Sequence, residues 1–120
     1  MVGIDIVDIE RINPTDTFLE KIANSKEIEY IKKAKNESLI RQKTGALFCV
    51  KEAVMKALDM GNGSGVVFKD IELSHTDTGK PFVILHGKAK EKFENFYKDK
   101  KIEISLSHVS TMATAIAMIV

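Results

Sequence analysis

The sequence predicts an α+β fold, with an N-terminal strand, several packed helices, and a mostly antiparallel sheet built from the later strands. Helical periodicity dominates residues 15 to 58, whereas apolar and polar residues alternate in runs separated by turn-forming residues in the last part of the chain. A chain of 120 residues buries about 65 to 70 per cent of its surface around one core. We therefore expect one domain spanning residues 1 to 120.

The composition is that of an ordinary folded protein, with 44% hydrophobic and 29% charged residues. The net charge is only +1 and the chain has two arginines, which disfavours binding to nucleic acid. The apolar C-terminal run is nine residues long, far short of a membrane-spanning helix, so no membrane association is expected. A single cysteine and the lack of a basic, apolar leader predict a cytoplasmic protein.

The first predicted element is a strand over residues 2 to 7, which are rich in valine and isoleucine. A short helical turn over residues 9 to 12 follows, with Asp8 able to cap it, and Pro14 interrupts it. Asp5 lies inside the apolar strand, where an unpaired carboxylate is costly if the strand is central. This acid is therefore expected to be paired or to bind something.

Two short helices are predicted next, and they form a solvated hairpin. Thr15 or Asp16 can cap the first helix, which ends near Ala23. Ser25 is a candidate cap for the second helix, in which Ile28 and Ile31 face inward.

The longest predicted helix covers residues 37 to 58, because good helix formers continue until the glycine-rich stretch GNGSG. This stretch follows a helix instead of preceding one, so it is neither a P-loop nor a dinucleotide fingerprint. A helix C-cap with a loose turn is the simple interpretation, and a close approach of backbone to a bulky ligand is the alternative.

The rest of the chain predicts a β-hairpin, a helix and two strands. FKDIELSH and FVILHG flank the turn-forming TDTGKP, which indicates the hairpin. Ala89, Phe93 and Phe96 follow helical spacing and are expected to face inward. IEISLSH and ATAIAMIV then predict the last two strands.

Glu52 and Lys56 are the candidate functional pair on the long helix, since residues four apart share one face. Such a pair is often only a solvated ion pair worth about 0.3 to 0.5 kcal/mol. The apolar flanks GALFCV and AVM make the charged strip narrow, which favours a cleft. Asp5 and Glu52 would together supply two carboxylates for Mg²⁺, although nothing in the sequence shows that they meet. A lone His108 at a strand end is typical of a surface hydrogen bond.

Four motifs, GIDIVDIERI, FCVKEAVMKAL, DIELSHTDTGKP and ISLSH, resemble in order and spacing the holo-(acyl-carrier-protein) synthase family of 4′-phosphopantetheinyl transferases. The resemblance runs from Val2 to the C-terminus. It implies an enzyme of fatty acid biosynthesis that transfers the phosphopantetheine arm of coenzyme A to a serine of apo acyl carrier protein. It also implies a need for Mg²⁺, the release of adenosine 3′,5′-bisphosphate, and a homotrimer with the coenzyme A site between neighbouring subunits.

The same resemblance implies roles for matching positions. Asp5 and Glu52 match the metal-binding acids and Lys56 matches the lysine near the diphosphate, so these three are the candidate catalytic residues. His108 matches the histidine beside the coenzyme A phosphates, and Arg11 matches the arginine that meets the carrier protein. Two acceptors for the serine proton stay open, Glu52 itself and a metal-bound water.

Further candidate coenzyme A contacts are Lys51, beside Glu52, and Gly61 of the glycine-rich stretch. The chain departs from the family where Leu47 replaces an arginine and where Asp59 and Met60 replace the Gly-Thr of a GTG motif. Fewer positive charges should weaken the binding of a polyanion. The basic residues expected to compensate are Lys43, Lys51 and Arg41. The alternative function is a non-catalytic module of the same fold that binds coenzyme A or a carrier protein.

Overall fold

The computed structural model describes residues 1–61 and 63–120, so Asn62 of the glycine-rich stretch lies outside the described residues. The strands are β1 (Val2–Asp8), β2 (Ile71–His75), β3 (Pro81–Leu85), β4 (Ile102–His108) and β5 (Met112–Ile119). The helices are α1 (Asp16–Ile22), α2 (Ser25–Lys32), α3 (Glu37–Ala57) and α4 (Gly87–Phe96). Short 3-10 turns cover Ile9–Arg11 and Phe68–Asp70. The α+β class and the order of elements are confirmed.

The strands form two antiparallel sheets instead of one. The larger sheet has the order β1-β5-β4, and β2 pairs only with β3. The first and last strands of the chain are thus neighbours, with Asp5 opposite Ala115. Alternating apolar and polar residues identify a strand but not the strand it pairs with. The sequence therefore did not predict which strands are neighbours.

Side-chain caps set the starts of the helices. Of the two predicted caps of α1, Thr15 is the one observed, since its hydroxyl accepts a hydrogen bond from the Phe18 N–H at 3.1 Å. The cap of α2 is Asn24, and Ser25 is the first helical residue. Asn24 and Glu27 form a reciprocal capping box, with two N–H to oxygen distances of 2.9 Å. The prediction of Ser25 as the cap was therefore wrong by one residue.

The helix α3 packs against the inner face of the three-stranded sheet through small residues. Ala113, Ala115 and Ala117 of β5 are buried on this face. In β1 the approach is closer still, because a Cβ added to Gly3 would clash with the carbonyl oxygen of Ala53 and lie 2.6 Å from the Ala57 nitrogen. Only glycine fits this position, which brings β1 directly onto the second half of α3.

The outer face of the same sheet is apolar and exposed. Val2, Ile4 and Ile6 of β1 are 59 to 62% exposed, and Met112 and Met118 of β5 are 49% and 44% exposed. Strand pairing places Met118 opposite Val2, so these side chains form one continuous patch. A patch of this kind is typical of a surface that another protein covers.

Of the three inward positions predicted for α4, Ala89 is fully buried and Phe93 packs against the core. Phe96 is 75% exposed, so the prediction for this residue was wrong. It is the last residue of the helix, where Tyr97 takes the adjacent place against the core.

None of the helices in the described part of the chain combines the length and the apolar character needed to cross a bilayer.

We predict that Gly3→Ala lowers the free energy of unfolding by about 2 kcal/mol or more, because the added methyl group meets backbone atoms of α3 that cannot rotate away. Urea unfolding followed by circular dichroism measures this change. Gly61→Ala is the matched control, since a Cβ at this position meets no atom within 4 Å. Equal effects of the two substitutions would show that β1 and α3 do not need this close contact.

Candidate functional site

Three predicted site residues meet where β1 crosses the second half of α3. The Lys56 ammonium lies 3.1 Å from Asp5 Oδ1 and 3.0 Å from the carbonyl oxygen of Ile4. Gly3 permits this contact, because it lets the strand approach the helix two residues before Asp5. The structure therefore brings together a strand acid and a helix lysine that are about fifty positions apart in the sequence.

The second oxygen of Asp5 has no such partner. Asp5 Oδ2 is buried and accepts no hydrogen bond from any described residue. The neighbouring Cys49 thiol donates to the Ala113 carbonyl oxygen at 3.3 Å. Burial and the negative charge of Asp5 raise the pKa of Cys49 to about 12, so this thiol stays protonated. A buried carboxylate oxygen without a partner is costly, which makes a bound cation beside Asp5 favourable.

Glu52 adds a second carboxylate close enough to interact with Asp5. Burial raises the pKa of Glu52, the negative charge of Asp5 raises it further, and Lys56 opposes the shift. Two carboxylates that repel each other in a half-buried place are a typical arrangement for holding a divalent cation.

The donor set fits Mg²⁺ better than a transition metal. Within residues 1–61 and 63–120, no cluster of three or more histidine, cysteine or acidic side chains is arranged to hold a metal. Mg²⁺ usually takes one or two carboxylates and fills its other positions with water and substrate phosphates. Asp5 and Glu52 match this requirement, and the unpartnered Asp5 Oδ2 is the observation that supports the fit.

A cavity of about 920 Å³ opens beside these residues. Glu52 and Lys56 line one wall, and Gly61 lies in the loop that forms another. Lys21, at the end of α1, also lines the cavity, although the sequence analysis did not select it. Nothing in the spacing of Lys21 indicates this role, because only the packing of α1 beside the glycine-rich loop brings it there.

Lys51 does not lie in this cavity, and the prediction that it contacts coenzyme A was wrong. Its side chain is fully buried. The ammonium donates to Glu27 Oε1 at 2.9 Å, to the Phe68 carbonyl oxygen at 3.2 Å and to the Ile22 carbonyl oxygen. These three acceptors use all three ammonium hydrogens, so none remains for a phosphate.

The buried pair of Glu27 and Lys51 instead holds the elements around the cavity in place. Burial lowers the pKa of Lys51, and the charge of Glu27 opposes this shift. Glu27 Oε2 also accepts the Leu73 N–H of β2 at 2.8 Å. The pair therefore ties α2 and α3 to the end of α1, to β2, and to Phe68 in the cavity wall.

His108 and Arg11 lie elsewhere on the chain. His108 Nδ1 is 3.0 Å from Gln42 Oε1, in the first half of α3. Gln42 is about 15 Å along the helix from Glu52, so one chain does not bring His108 to the cavity. Arg11 ends the first 3-10 turn and is exposed.

The residues that depart from the family pattern lie in different parts of the structure. Leu47 is buried in the smaller hydrophobic cluster and does not line the cavity beside Glu52. Asp59 does line the cavity beside Glu52. Its φ is 54°, a backbone angle that glycine adopts without strain and aspartate adopts at some cost. Met60 is 2% exposed and anchors the loop after the helix.

None of the three proposed compensating residues lines the cavity. Lys51 is buried, while Lys43 and Arg41 line two other cavities. The positive charges that do face it belong to Lys21 and Lys56.

This arrangement suits the transfer of a phosphate-containing group. Two carboxylates can hold a divalent cation, the Lys56 side chain is 53% exposed, and the open cavity admits a ligand of substantial size. The α+β fold and this site are thus those of a protein suited to bind phosphate esters.

Comparison with known proteins defines the family. Residues 1–117 match the family model of the 4′-phosphopantetheinyl transferase superfamily, and the chain belongs to this superfamily. It is 42% identical to a holo-[acyl-carrier-protein] synthase of Clostridium kluyveri, covering 98% of this chain and 87% of the relative. A holo-[acyl-carrier-protein] synthase of Caldicellulosiruptor saccharolyticus is also 42% identical, covering 98% of this chain and 93% of the relative.

Solved structures show the same fold. The holo-(acyl-carrier-protein) synthase of Bacillus anthracis in complex with CoA (3′,5′-ADP) superposes with a TM-score of 0.80 at 31% identity, covering 98% of this chain and 93% of that one. The Helicobacter pylori holo-[acyl-carrier-protein] synthase in complex with coenzyme A gives a TM-score of 0.82 at 31% identity, covering 100% of both chains.

We predict that Lys51→Met lowers the free energy of unfolding by about 3 kcal/mol, because Glu27 is left as a buried charge without its cation. Urea unfolding at fixed protein concentration measures the loss. Lys33→Met is the matched control, since Lys33 forms an exposed pair with Glu29 at 3.5 Å and should contribute less than about 1 kcal/mol. A loss no larger than that of the control would show that the buried pair does not support the fold.

Proposed function

We propose that this protein transfers the 4′-phosphopantetheine group of coenzyme A to a serine of apo acyl carrier protein, which releases adenosine 3′,5′-bisphosphate. The superfamily match and the names of its relatives support this function. The observation that carries it is that Asp5 meets Glu52 and Lys56 where these two helix residues line an open cavity. Fatty acid biosynthesis, which the family resemblance implies, is the pathway that we propose for this product.

Charge neutralisation is the main task of the site. The diphosphate of coenzyme A repels an attacking serine oxygen until positive charge surrounds it. The Lys56 ammonium uses two hydrogens on Asp5 and Ile4 and keeps a third for a phosphate oxygen. Lys21 faces the same cavity and adds a second positive charge for the substrate.

Asp5 and Glu52 are the residues that would hold Mg²⁺. When bound there, the ion neutralises phosphate charge and polarises the phosphorus centre. Asp5 has a free buried oxygen for this purpose, while Lys56 fixes the other one. The proton of the serine hydroxyl needs an acceptor, and Glu52 itself and a water molecule on the ion would be the two candidates.

A neighbouring copy of the chain is the proposed source of a further contact to the phosphates of coenzyme A. His108 lies away from Glu52 in one chain, and the apolar outer face of β1 and β5 is exposed. Three copies arranged around this face would bury the patch and place His108 of one copy beside the cavity of the next. We therefore include a homotrimer in the proposal.

Arg11 is the proposed contact for the acidic carrier protein. It is exposed, and Asp8 fixes the start of its 3-10 turn by accepting the Glu10 N–H at 3.1 Å. This turn directly follows β1, so the partner surface and Asp5 belong to one continuous segment. Basic residues outnumber acidic ones between Lys21 and Lys43, which favours steering of an acidic partner.

We predict that Asp5→Asn and Glu52→Gln each reduce transfer about 100-fold or more, because each removes a negative charge that would hold the metal ion, whose positive charge the diphosphate needs. Intact-mass measurement of apo acyl carrier protein incubated with coenzyme A and Mg²⁺ gives the rate. Electron paramagnetic resonance with Mn²⁺ gives a second measurement, in which both variants should bind the metal more weakly.

Glu94→Gln is the matched control for these variants, because Glu94 is an exposed carboxylate on α4. Near-normal turnover in Asp5→Asn or Glu52→Gln would remove that residue from the site. If the unmodified protein adds no group to any carrier protein but still binds coenzyme A, the protein is a binding module instead.

We predict that Ile4→Lys converts the trimer into monomers and abolishes transfer, because it places a charge in the apolar patch. Ile84→Lys on β3 is the matched control, since Ile84 is exposed outside the patch. Light scattering after size-exclusion chromatography gives the assembly state.

A mixing experiment then tests the shared site. Glu52→Gln and His108→Ala should each be inactive alone, whereas co-expressed chains should recover about one quarter of the activity. This fraction follows because random cyclic trimers pair an intact Glu52 with an intact His108 at about one interface in four. No recovery in confirmed mixed trimers would show that Glu52 and His108 do not complete one site across two chains.

A further inference from the structure

Three exposed side chains lie along the outer edge of the cavity beside Glu52. Val67 lines this cavity and is 56% exposed. Lys69 belongs to the 3-10 turn that follows Val67, and Lys88 lies in the first turn of α4, which packs against the same 3-10 turn. Both lysines are exposed. We call Val67, Lys69 and Lys88 the cavity rim.

The glycine-rich loop leaves room for Lys88 at this edge. Gly65 lines the cavity, and a Cβ added to it would lie 2.8 Å from the Lys88 ammonium nitrogen and 3.0 Å from Lys88 Cδ. The end of the lysine side chain therefore lies across Gly65, where a larger residue would push it away. Lys88 itself does not line the cavity, so its charge lies at the opening and not inside.

The chain does not neutralise the positive charge of the cavity rim. Neither Lys69 nor Lys88 forms an ion pair with any residue that the structure describes. Asp70, next to Lys69, accepts the Val67 N–H at 3.2 Å. Glu91, one helical turn after Lys88, is not paired with it. Both ammonium groups are therefore available to acidic groups from outside the chain.

The position of the cavity rim favours a protein partner over a phosphate. The two lysines lie outside the cavity that would hold the substrate phosphates, and a phosphate would leave Val67 exposed. The proposed transfer ends on a serine of a folded protein, so the surface around that serine must cover the opening of the cavity. An apolar side chain beside two lysines suits a partner segment that carries both acidic and apolar residues.

We propose that the cavity rim binds the acidic segment of the carrier protein next to the acceptor serine. Carboxylates of this segment contact Lys69 and Lys88, and an apolar side chain of the partner packs on Val67. This inference rests on the proposed function and adds a second contact surface to it.

The cavity rim is separate from the contact proposed for Arg11. The 3-10 turn that contains Arg11 packs on the first half of α3, where a Cβ added to Gly45 would lie 2.6 Å from Ile9 Cδ1. Gly45 and Lys56, which lines the cavity, are roughly 16 Å apart along the helix, a distance that a small protein domain spans. Two separate contacts would fix the orientation of the carrier protein as well as its position.

Binding of the carrier protein tests this proposal without requiring transfer. Biolayer interferometry measures the affinity for apo acyl carrier protein whose acceptor serine is changed to alanine. We expect Lys69→Met and Lys88→Met each to weaken binding about fivefold at low salt, mainly through slower association, and less at high salt. Lys90→Met is the matched control, since Lys90 is an exposed lysine of α4 that points away from Lys88.

Coenzyme A binding distinguishes a partner contact from a substrate contact. Titration calorimetry should give the same affinity for coenzyme A in Lys88→Met and in the unmodified protein, because Lys88 does not line the cavity. A loss of coenzyme A affinity as large as the loss of carrier affinity would overturn the proposal. Equal carrier affinity in Lys88→Met and Lys90→Met would also overturn it.

A pair of glycine substitutions tests the position of Lys88. Gly65→Ala should weaken carrier binding more than Gly63→Ala does, because only the first added methyl group meets Lys88. The two glycines have φ values of 79° and 83°, so both substitutions introduce similar backbone strain. Equal effects on carrier binding would contradict the placement of Lys88 on the cavity rim.

Transfer by the unmodified protein is measured in parallel by intact mass. An active transferase whose rim variants bind the carrier protein normally would disprove this inference alone. Carrier binding that depends on Lys69 and Lys88 without any transfer would disprove only the proposed function.

Discussion

The buried ion pair between Glu27 and Lys51 is the interaction on which the arrangement around the cavity depends. The pair brings one charge from α2 and one from α3 into the core. The Glu27 carboxylate and the Lys51 ammonium also form hydrogen bonds with backbone groups of Asn24, α1, β2 and the loop at Phe68. Replacing such a pair with apolar residues is often neutral, but removing one partner is costly. Its contribution here is therefore to fix the relative positions of four elements. The wall of the cavity beside Glu52 is one consequence, because Lys51 donates to the carbonyl oxygen of Phe68, which lines that cavity.

A second constraint, the absence of a side chain at Gly3, decides the geometry of the site itself. The strand β1 touches the backbone of α3 at Ala53 and Ala57, so Asp5 reaches the helix face that carries Lys56. The result is a carboxylate with one oxygen on a lysine and one buried oxygen left free. The repulsion between Asp5 and Glu52 is therefore only partly offset by Lys56, and the proposed divalent cation would relieve it. Alternate residues of β1 point to opposite sides of the sheet. The apolar patch and the proposed metal site therefore lie on opposite faces of this strand.

Physical signals in the sequence predicted most of the fold, because caps, periodicity and turn residues are local. The long helix, the hairpin, the Thr15 cap and the strand at each end of the chain were all visible. The errors arose where two similar local choices compete, as between Asn24 and Ser25, or at the end of an element, as with Phe96. Lys51 is the most instructive error, since its place beside Glu52 in the chain suggested a shared site, whereas neighbouring helical residues point about 100° apart.

By itself, the sequence determined the family, the α+β class, and the identity of the acids and the lysine that meet at the site, because these follow from motifs and local periodicity. The tertiary structure decided which charged side chains face the cavity. It placed Lys21 there, buried Lys51, and left His108 at a distance that one chain does not span. The physical reason is that burial, pairing and distance depend on contacts between residues far apart in the chain, and no local pattern encodes them. The pairing of the first strand with the last, which presents both Asp5 and the apolar patch, is the clearest example.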